Sequence, residues 1–252
     1  MTVQYCSDLH LEFWENKEFL SKNPLQPKGD ILLLAGDIVP FTLLSKHAGF
    51  FDFVSANFQM AFWLPGNHEY YGSDAAKRSG VVLEEIRENV LLVNNIALRQ
   101  GSVKFIFSTL WSEISPINRG LIEYNVSDFH EIKFHNHPFS GAMFNHFHHE
   151  AMDFLRYELS HVHTGKTIVV SHHVPTFMNY PDKYRGSILN EAFAVELFGL
   201  IDRAPIDYWI YGHHHHNIAG FSIGDTELLT NQLGYVRYGE HKGFSGGKVI
   251  SL

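Results

Sequence analysis

Short runs of β-prone, largely apolar residues recur through the first two-thirds of the chain, each ending on glycine or polar punctuation. The runs Val3–Cys6, Ile31–Ala35, Met60–Leu64, Val103–Ser108, Ile168–Ser171 and Tyr208–Tyr211 predict strands. Several are apolar at consecutive positions rather than alternating, as expected of strands buried on both faces. Between them, the spacing of apolar residues predicts amphipathic helices over Asp74–Glu88 and His146–Leu159. Strands alternating with helices give an α/β pattern. After Asp207 the character changes. The short runs Ala219–Ile223 and Glu227–Thr230, parted by Gly224-Asp225, predict a closing hairpin or meander. The segment from Ser112 to Gly141 has no clear periodicity, and a connection of that length is often functional or a local insertion. Ser21–Asp30 is short enough to be a surface connection.

No repeat, low-complexity tract or linker interrupts this pattern, so residues 1–252 are expected to form one domain. Hydrophobic residues make up 45% of the chain and charged residues 18%, enough apolar material for a packed core. The net charge of −8 disfavours a protein that follows a nucleic-acid backbone by bulk electrostatics. It leaves room for a small phosphorylated substrate, because bound metal ions supply positive charge locally. The single cysteine, Cys6, permits no internal disulfide and is expected to be a small buried residue. With no signal-peptide pattern and no apolar stretch of membrane-spanning length, the expected location is cytoplasmic, away from the membrane.

The feature that composition leaves to explain is 18 histidines. Many of them fall directly after predicted strands. Val3–Cys6 is followed by Ser7-Asp8-Leu9-His10, Ile31–Ala35 by Gly36-Asp37, and Met60–Leu64, after Pro65, by Gly66-Asn67-His68-Glu69. The two later strands lead into His172-His173 and Gly212-His213-His214-His215-His216. Taken singly, an Asp-x-His pair or a Gly-Asp dipeptide is an ordinary turn signal. Five such deliveries at strand ends are another matter, because parallel strands in an open α/β sheet collect their ends at one edge, where ligands bind.

Asp8-x-His10, Gly36-Asp37, Gly66-Asn67-His68-Glu69, His172 and Gly212-His213-x-His215 together resemble, in order, the five motifs of the calcineurin-like metallophosphoesterases. Asn231-Gln232-Leu233-Gly234-Tyr235 is similar to the closing segment of small bacterial members, so the resemblance spans almost the whole chain. It implies a four-layer αββα sandwich, with two mixed sheets face to face and helices outside.

The ligand types argue for the same chemistry. Carboxylate, imidazole and amide donors without thiolate suit Mn, Fe, Zn or Ni, with Mn favoured here. Seven donors are too many for one ion, so two ions sharing a bridging ligand are expected. A carboxylate can bridge; a neutral imidazole cannot. The resemblance makes Asp37 the bridge. It gives one ion Asp8, His10, Asp37 and His215, and the other Asp37, Asn67, His172 and His213. Such a pair lowers the pKa of bound water toward ~7, and the resulting hydroxide attacks the phosphorus of a monoester or diester in line. The resemblance casts His68 as the residue that protonates the leaving oxygen or stabilises the transition state, with Asn67 also meeting substrate.

Neighbouring residues divide more evenly. Of the adjacent pair, His172 is expected to face the metal and His173 to meet substrate. Strand alternation makes His213 and His215 a same-face pair and His214 and His216 bystanders. His130, His135, His137, His146, His148 and His149 read as solvated residues rather than a further metal patch. Tyr70 and Tyr71 read as cleft or core, and Lys183 and Arg185 as exposed loop cations. Two other functions stay open: a scaffold that has lost catalysis, and a metal-dependent nuclease. The full ligand set speaks against the first, and the acidic balance against the second. A two-metal hydrolase of the His-x-His-x-Asp-His type is excluded, because that motif is absent.

Overall fold

The computed structural model describes residues 1–252. Its strands are β1 (Thr2–Cys6), β2 (Ile31–Ala35), β3 (Met60–Leu64), β4 (Val82–Arg87), β5 (Val90–Asn94), β6 (Ile96–Gln100) and β7 (Val103–Ser108), then the two-residue strands β8 (Lys133–Phe134) and β9 (His137–Pro138). They continue with β10 (Lys166–Ser171), β11 (Tyr208–Tyr211), β12 (Phe221–Ile223), β13 (Thr226–Thr230) and β14 (Val249–Ser251). Two six-stranded mixed sheets result, ordered β14-β1-β2-β3-β5-β4 and β12-β13-β11-β10-β7-β6. In each, four central strands run parallel and an antiparallel strand closes either edge.

Alternation along each strand decides which layer a side chain joins. Val3, Tyr5, Leu33 and Phe62 of the first sheet pack against Phe105, Phe107, Ile168 and Ile210 of the second, forming the core between the sheets. The intervening residues face outward. Leu32, Leu34 and Trp63 meet Phe51 and Val54 of a helix, Ala48–Asn57. Ile106, Val169 and Trp209 meet Met152, Leu155 and Leu159 of the helix Gly141–Ser160. This longer helix starts at Ser140, whose hydroxyl accepts from Met143 N and satisfies one free amide of its first turn. The four layers are therefore helix, sheet, sheet and helix. Cys6 is buried in the first outer layer, where the apolar surroundings push its thiol up to about 12.

One expectation fails. Asp74–Glu88 is not a helix: a turn at Ala75–Lys77 gives way to β4, which pairs antiparallel with β5. The local apolar spacing is overridden by an edge-strand place beside Val90–Asn94, where Val82 is buried while Leu83 is exposed. The aperiodic Ser112–Gly141 segment holds two short helices, Arg119–Asn125 and Asp128–Glu131, and the β8–β9 ribbon. Its apolar residues Ile122, Phe129, Ile132 and Phe139 form a fourth core with Tyr70, Trp111, Phe144 and Phe147. That core raises one wall of a cleft over the sheet edge. No helix is long and apolar enough to cross a membrane.

Candidate metal centre

The parallel strands of both sheets end at one rim, and backbone hydrogen bonds sew the turns leaving them together. Asp8 N donates to Gly36 O at 2.9 Å, His10 N to Asp37 O at 2.9 Å, and Gly212 N to His172 O at 3.0 Å. These turns are tight enough that Asp8, His10, Asp37, His213 and His215 all take positive φ, between 47° and 79°. L-residues with side chains rarely adopt that region, and they cluster where function holds them there. Gly36 and Gly66 have no substitute: a Cβ on either would collide with the His172 ring, and one on Gly66 would also collide with Asp37.

The rim collects donor atoms into three groups, one of them His10, Glu12 and His68, and the other two sharing Asp37. Asp8, His10, Asp37 and His215 offer atoms within 4.8 Å of one another, and so do Asp37, His172 and His213. Asp37 belongs to both. Its Oδ2 lies 3.3 Å from His172 Nε2 and 3.8 Å from His10 Nε2. Asn67 joins the second group, with Oδ1 3.1 Å from His172 Nε2. All are buried or nearly so.

The remote ring nitrogens are each engaged in a way that fixes the tautomer. His10 Nδ1 lies 3.1 Å from Glu12 Oε1, His215 Nδ1 2.7 Å from Glu240 Oε2, and His172 Nδ1 2.9 Å from Ala35 O. A proton held there on Nδ1 leaves the Nε2 lone pair facing the centre, the arrangement metal-binding histidines favour. His213 is turned the other way. Its Nε2 is 3.3 Å from Ala192 O, which leaves Nδ1 for the shared space. Opposed Nε2 atoms of His10 and His215, only 3.0 Å apart, are what a common cation between them would reconcile. The donor set therefore fits a pair of divalent ions.

Electrostatics agree. Burial penalises the charge on Asp37, but His172, His68 and His10 outweigh it and hold its carboxyl well below the usual range. Burial likewise disfavours protonated His172 and His215, yet Asp37 raises the first to about 9, while Asp8 and Glu240 raise the second to about 10. The other two imidazole donors move the opposite way: burial, with His68 beside His10 and His173 beside His213, holds both below the ordinary histidine range.

His68 stands beside the centre. Its backbone N donates to Asp37 Oδ1 at 2.9 Å, and its Nδ1 lies 3.0 Å from the Glu12 oxygen that also faces His10. The remaining nitrogen, Nε2, is 3.1 Å from the Tyr235 hydroxyl, and the ring stacks on Tyr71 at 4.1 Å between centroids. It lines a cleft of about 790 Å³ together with Asn67, Asp37, His213 and His215.

His173, expected to meet substrate, is not among the residues that line that cleft. The ring is fully buried, packed 5.3 Å from Trp111 and 5.9 Å from Phe144. Its shortest ring contact is with His213, at 4.2 Å, and Trp111 and Phe144 of the fourth core cover it from elsewhere. His213 and His215 do meet the same centre, but through left-handed turns beyond the end of β11 rather than by strand alternation. His214 is buried beside Gln232, and His216 lies outside both donor groups. Tyr71 lines the cleft, whereas Tyr70 is core and donates to Arg78 O. Lys183 lies over the Tyr184 ring and Arg185 pairs with Asp182, both outside the cleft lining. In the histidine-rich segment, His148 is buried against Trp111 O, while His146 and His149 pair with Glu150 and Glu113 on the surface.

Sequence reasoning named Glu69 only as part of its motif and assigned no role to the supporting residues. Glu69 is buried and accepts from the backbone N–H of Asp37, Ile38 and Gly66 and from Trp63 Nε1. It ties two of the ligand-bearing turns together. Burial and the Asp37 charge push its carboxyl up to about 7. Asp128 accepts from Asn67 Nδ2 and from the Tyr71 hydroxyl, both at 2.7 Å. Glu12, two residues after His10, was open to the same reading as its neighbours. Asp128 and Glu240 carried no signal in their local sequence.

A carboxylate shared by two groups of imidazole and amide donors, at the strand ends of a two-sheet sandwich, defines a metal-dependent phosphoesterase. The chain belongs to the calcineurin-like phosphoesterase family, whose sequence profile matches residues 1–217. It is 32% identical to an uncharacterized protein of Acanthamoeba polyphaga mimivirus, over 92% of this chain and 91% of that one. The fold is similar to that of a phosphopantetheinyl hydrolase from Mycobacterium tuberculosis, with a TM-score of 0.72 at 19% identity, over 99% of this chain and 95% of the other. A dimetal phosphatase from Danio rerio aligns with a TM-score of 0.51 at 14% identity, over 92% and 87% of the two chains.

Proposed function

We propose that this enzyme hydrolyses phosphate esters at two divalent metal ions bridged by Asp37, one held by Asp8, His10 and His215 and the other by Asn67, His172 and His213. The observation that carries this reading is the position of Asp37 Oδ2 between His172 Nε2 and His10 Nε2. When bound, the ions supply the Lewis acidity that activates water and offsets charge on the phosphoryl oxygens. Mixed O and N donors without sulfur suit Mn, Fe, Zn or Ni, and Mn is taken as the first occupant to test.

The chain's own residues do the rest. Glu12 orients His10 and His68 together through one oxygen and is held at about 2: burial opposes its ionisation, and the two imidazoles outweigh burial. His68 lines the cleft, with Nε2 beside the Tyr235 hydroxyl, and is assigned the proton that passes to the leaving oxygen. In the overall reaction, water oxygen forms a bond to phosphorus, the ester P–O bond breaks, and a proton ends on the departing alcohol. Tyr235 positions the His68 ring from the other side.

The test is direct. Metal-depleted protein reconstituted with Mn is analysed for metal content and assayed on p-nitrophenyl phosphate and bis-p-nitrophenyl phosphate. Close to two ions per chain, with turnover abolished by chelation, is the expected result. One ion per chain at full activity overturns the dinuclear reading.

A further inference from the structure

The cleft over the centre is unusual for one that receives a phosphate: no lysine or arginine lines it. The polar lining is acidic instead, with Glu12, Asp37, Asp128, Glu131 and Glu240 all facing the same space. Two divalent ions would bring four positive charges. Asp8 and Asp37 among the donors, and Glu12 and Glu240 behind them, return four negative ones. Asp128 and Glu131 then leave the cleft with no positive surplus to spend on a polyanion.

Its walls are aromatic. Tyr71 lies nearly parallel to the His68 ring, at 25° and 4.1 Å, and Phe193 nearly parallel to the His213 ring, at 24° and 4.7 Å. Tyr71 and Phe193 both line the cleft, and so do Tyr180 and Tyr184, whose rings lie 6.3 Å apart. These rings are half-buried, and their exposed parts are cleft surface. Flat aromatic groups stack on such surfaces without needing charge.

We propose that the enzyme selects phosphodiesters that carry a single negative charge and a planar aromatic group on the ester arm that does not leave, and discriminates against dianionic monoesters and nucleoside polyphosphates. The proposal rests on the hydrolytic reading above and adds the substrate class. Water adds to the phosphorus of the diester and one P–O bond breaks. An alcohol leaves with a proton, and a monoester is released, whose second negative charge the acidic lining disfavours. The cleft thus favours release of product as well as choice of substrate.

The experiment compares esters that share p-nitrophenol as leaving group: ethyl p-nitrophenyl phosphate, bis-p-nitrophenyl phosphate, thymidine 5′-(p-nitrophenyl phosphate) and p-nitrophenyl phosphate. Relative to the ethyl diester, kcat/KM is expected to rise about tenfold for the bis-aryl or thymidine diester, since stacking of one ring is worth that much. The monoester is expected to fall about tenfold or more below the ethyl diester, the scale of one unscreened like charge nearby. Ser127→Lys and Glu131→Lys, both at exposed wall positions, should each raise the monoester-to-diester ratio several-fold. Calorimetry on metal-free protein supplies a second readout, in which thymidine binds more tightly than thymidine diphosphate. A monoester matching the diesters, with lysine variants that leave the ratio unmoved, overturns the charge argument. An ethyl diester as good as the aromatic ones overturns the stacking argument. Whether the bis-aryl or the thymidine diester leads tells an aryl preference from a nucleoside one. If no ester is hydrolysed by the metal-loaded protein, the hydrolytic reading fails instead, and calorimetry alone still decides what the cleft binds.

Discussion

Asp128 Oδ1 accepts a hydrogen bond of 2.7 Å from the side-chain amide nitrogen of Asn67. An amide can present either its oxygen or its nitrogen to a neighbour, and only the oxygen can bind a cation. By claiming the nitrogen, Asp128 turns Asn67 Oδ1 toward His172, 3.1 Å from its Nε2. Asp128→Asn removes the charge and lets the amide settle either way round. Affinity for one of two bound Mn ions should fall by roughly 10–100-fold, the usual worth of such a supporting partner. A metal titration that finds both affinities unchanged would refute the orienting role.

The shared position of Asp37 separates it from Asp8. Asp37→Asn should lose both ions, or nearly all turnover, whereas Asp8→Asn should weaken mainly one. Elemental analysis over a Mn titration checks this. Two variants with indistinguishable metal curves would move the bridge elsewhere.

The His68 side chain shares Glu12 with His10, whose ring lies 4.5 Å away, but it belongs to neither donor group that contains Asp37. His68→Ala should therefore keep its metal content and fold, while turnover falls by roughly 10²–10⁴. The deficit should be larger for alkyl esters than for p-nitrophenyl esters, because p-nitrophenolate leaves without help from a proton. Equal deficits on both kinds would assign His68 to phosphate positioning, and lost metal would make it a ligand.

Away from the centre, the long helix buries His148 against Trp111 O, and desolvation holds its imidazole below the ordinary pKa despite that hydrogen bond and the nearby Glu113. The folded chain thus binds this proton less readily than the unfolded one. The contribution of His148 to stability is complete above about 6.5 and is lost as pH falls below it. Gln at this position keeps a donor for Trp111 O and cannot titrate. In chelator, the drop in urea midpoint between pH 7.5 and pH 5.5 should be smaller for His148→Gln than for the parent. An equal drop would show that His148 does not titrate differently in the two states.

Strands buried on both faces were legible because their composition needs no partner to be recognised: Ile31–Ala35 and Met60–Leu64 are apolar wherever they are placed. The edge strand Val82–Arg87 was not, since a half-exposed run of Val, Leu, Glu and Ile fits helix or strand equally until its neighbour Val90–Asn94 is known. The donors could be read because each follows a strand within a few residues, and strand direction carries them to one rim. Their supports are brought in by the fold. Asp128 is 61 residues from Asn67, and Glu240 is 25 residues from His215. The surroundings of His173 were not legible, because adjacency to a ligand says nothing of what else packs on the ring, here Trp111 and Phe144.

The left-handed backbone at Asp8, His10, Asp37, His213 and His215 has a bearing on how such a chain evolves. Residues held in that region cost of order 1–3 kcal/mol each, and glycine or asparagine would sit there more comfortably. Bound ions return this energy through mass action, since they bind the folded chain and not the unfolded one. A lineage released from catalysis would gain robustness by mutating these same positions, and would do so early.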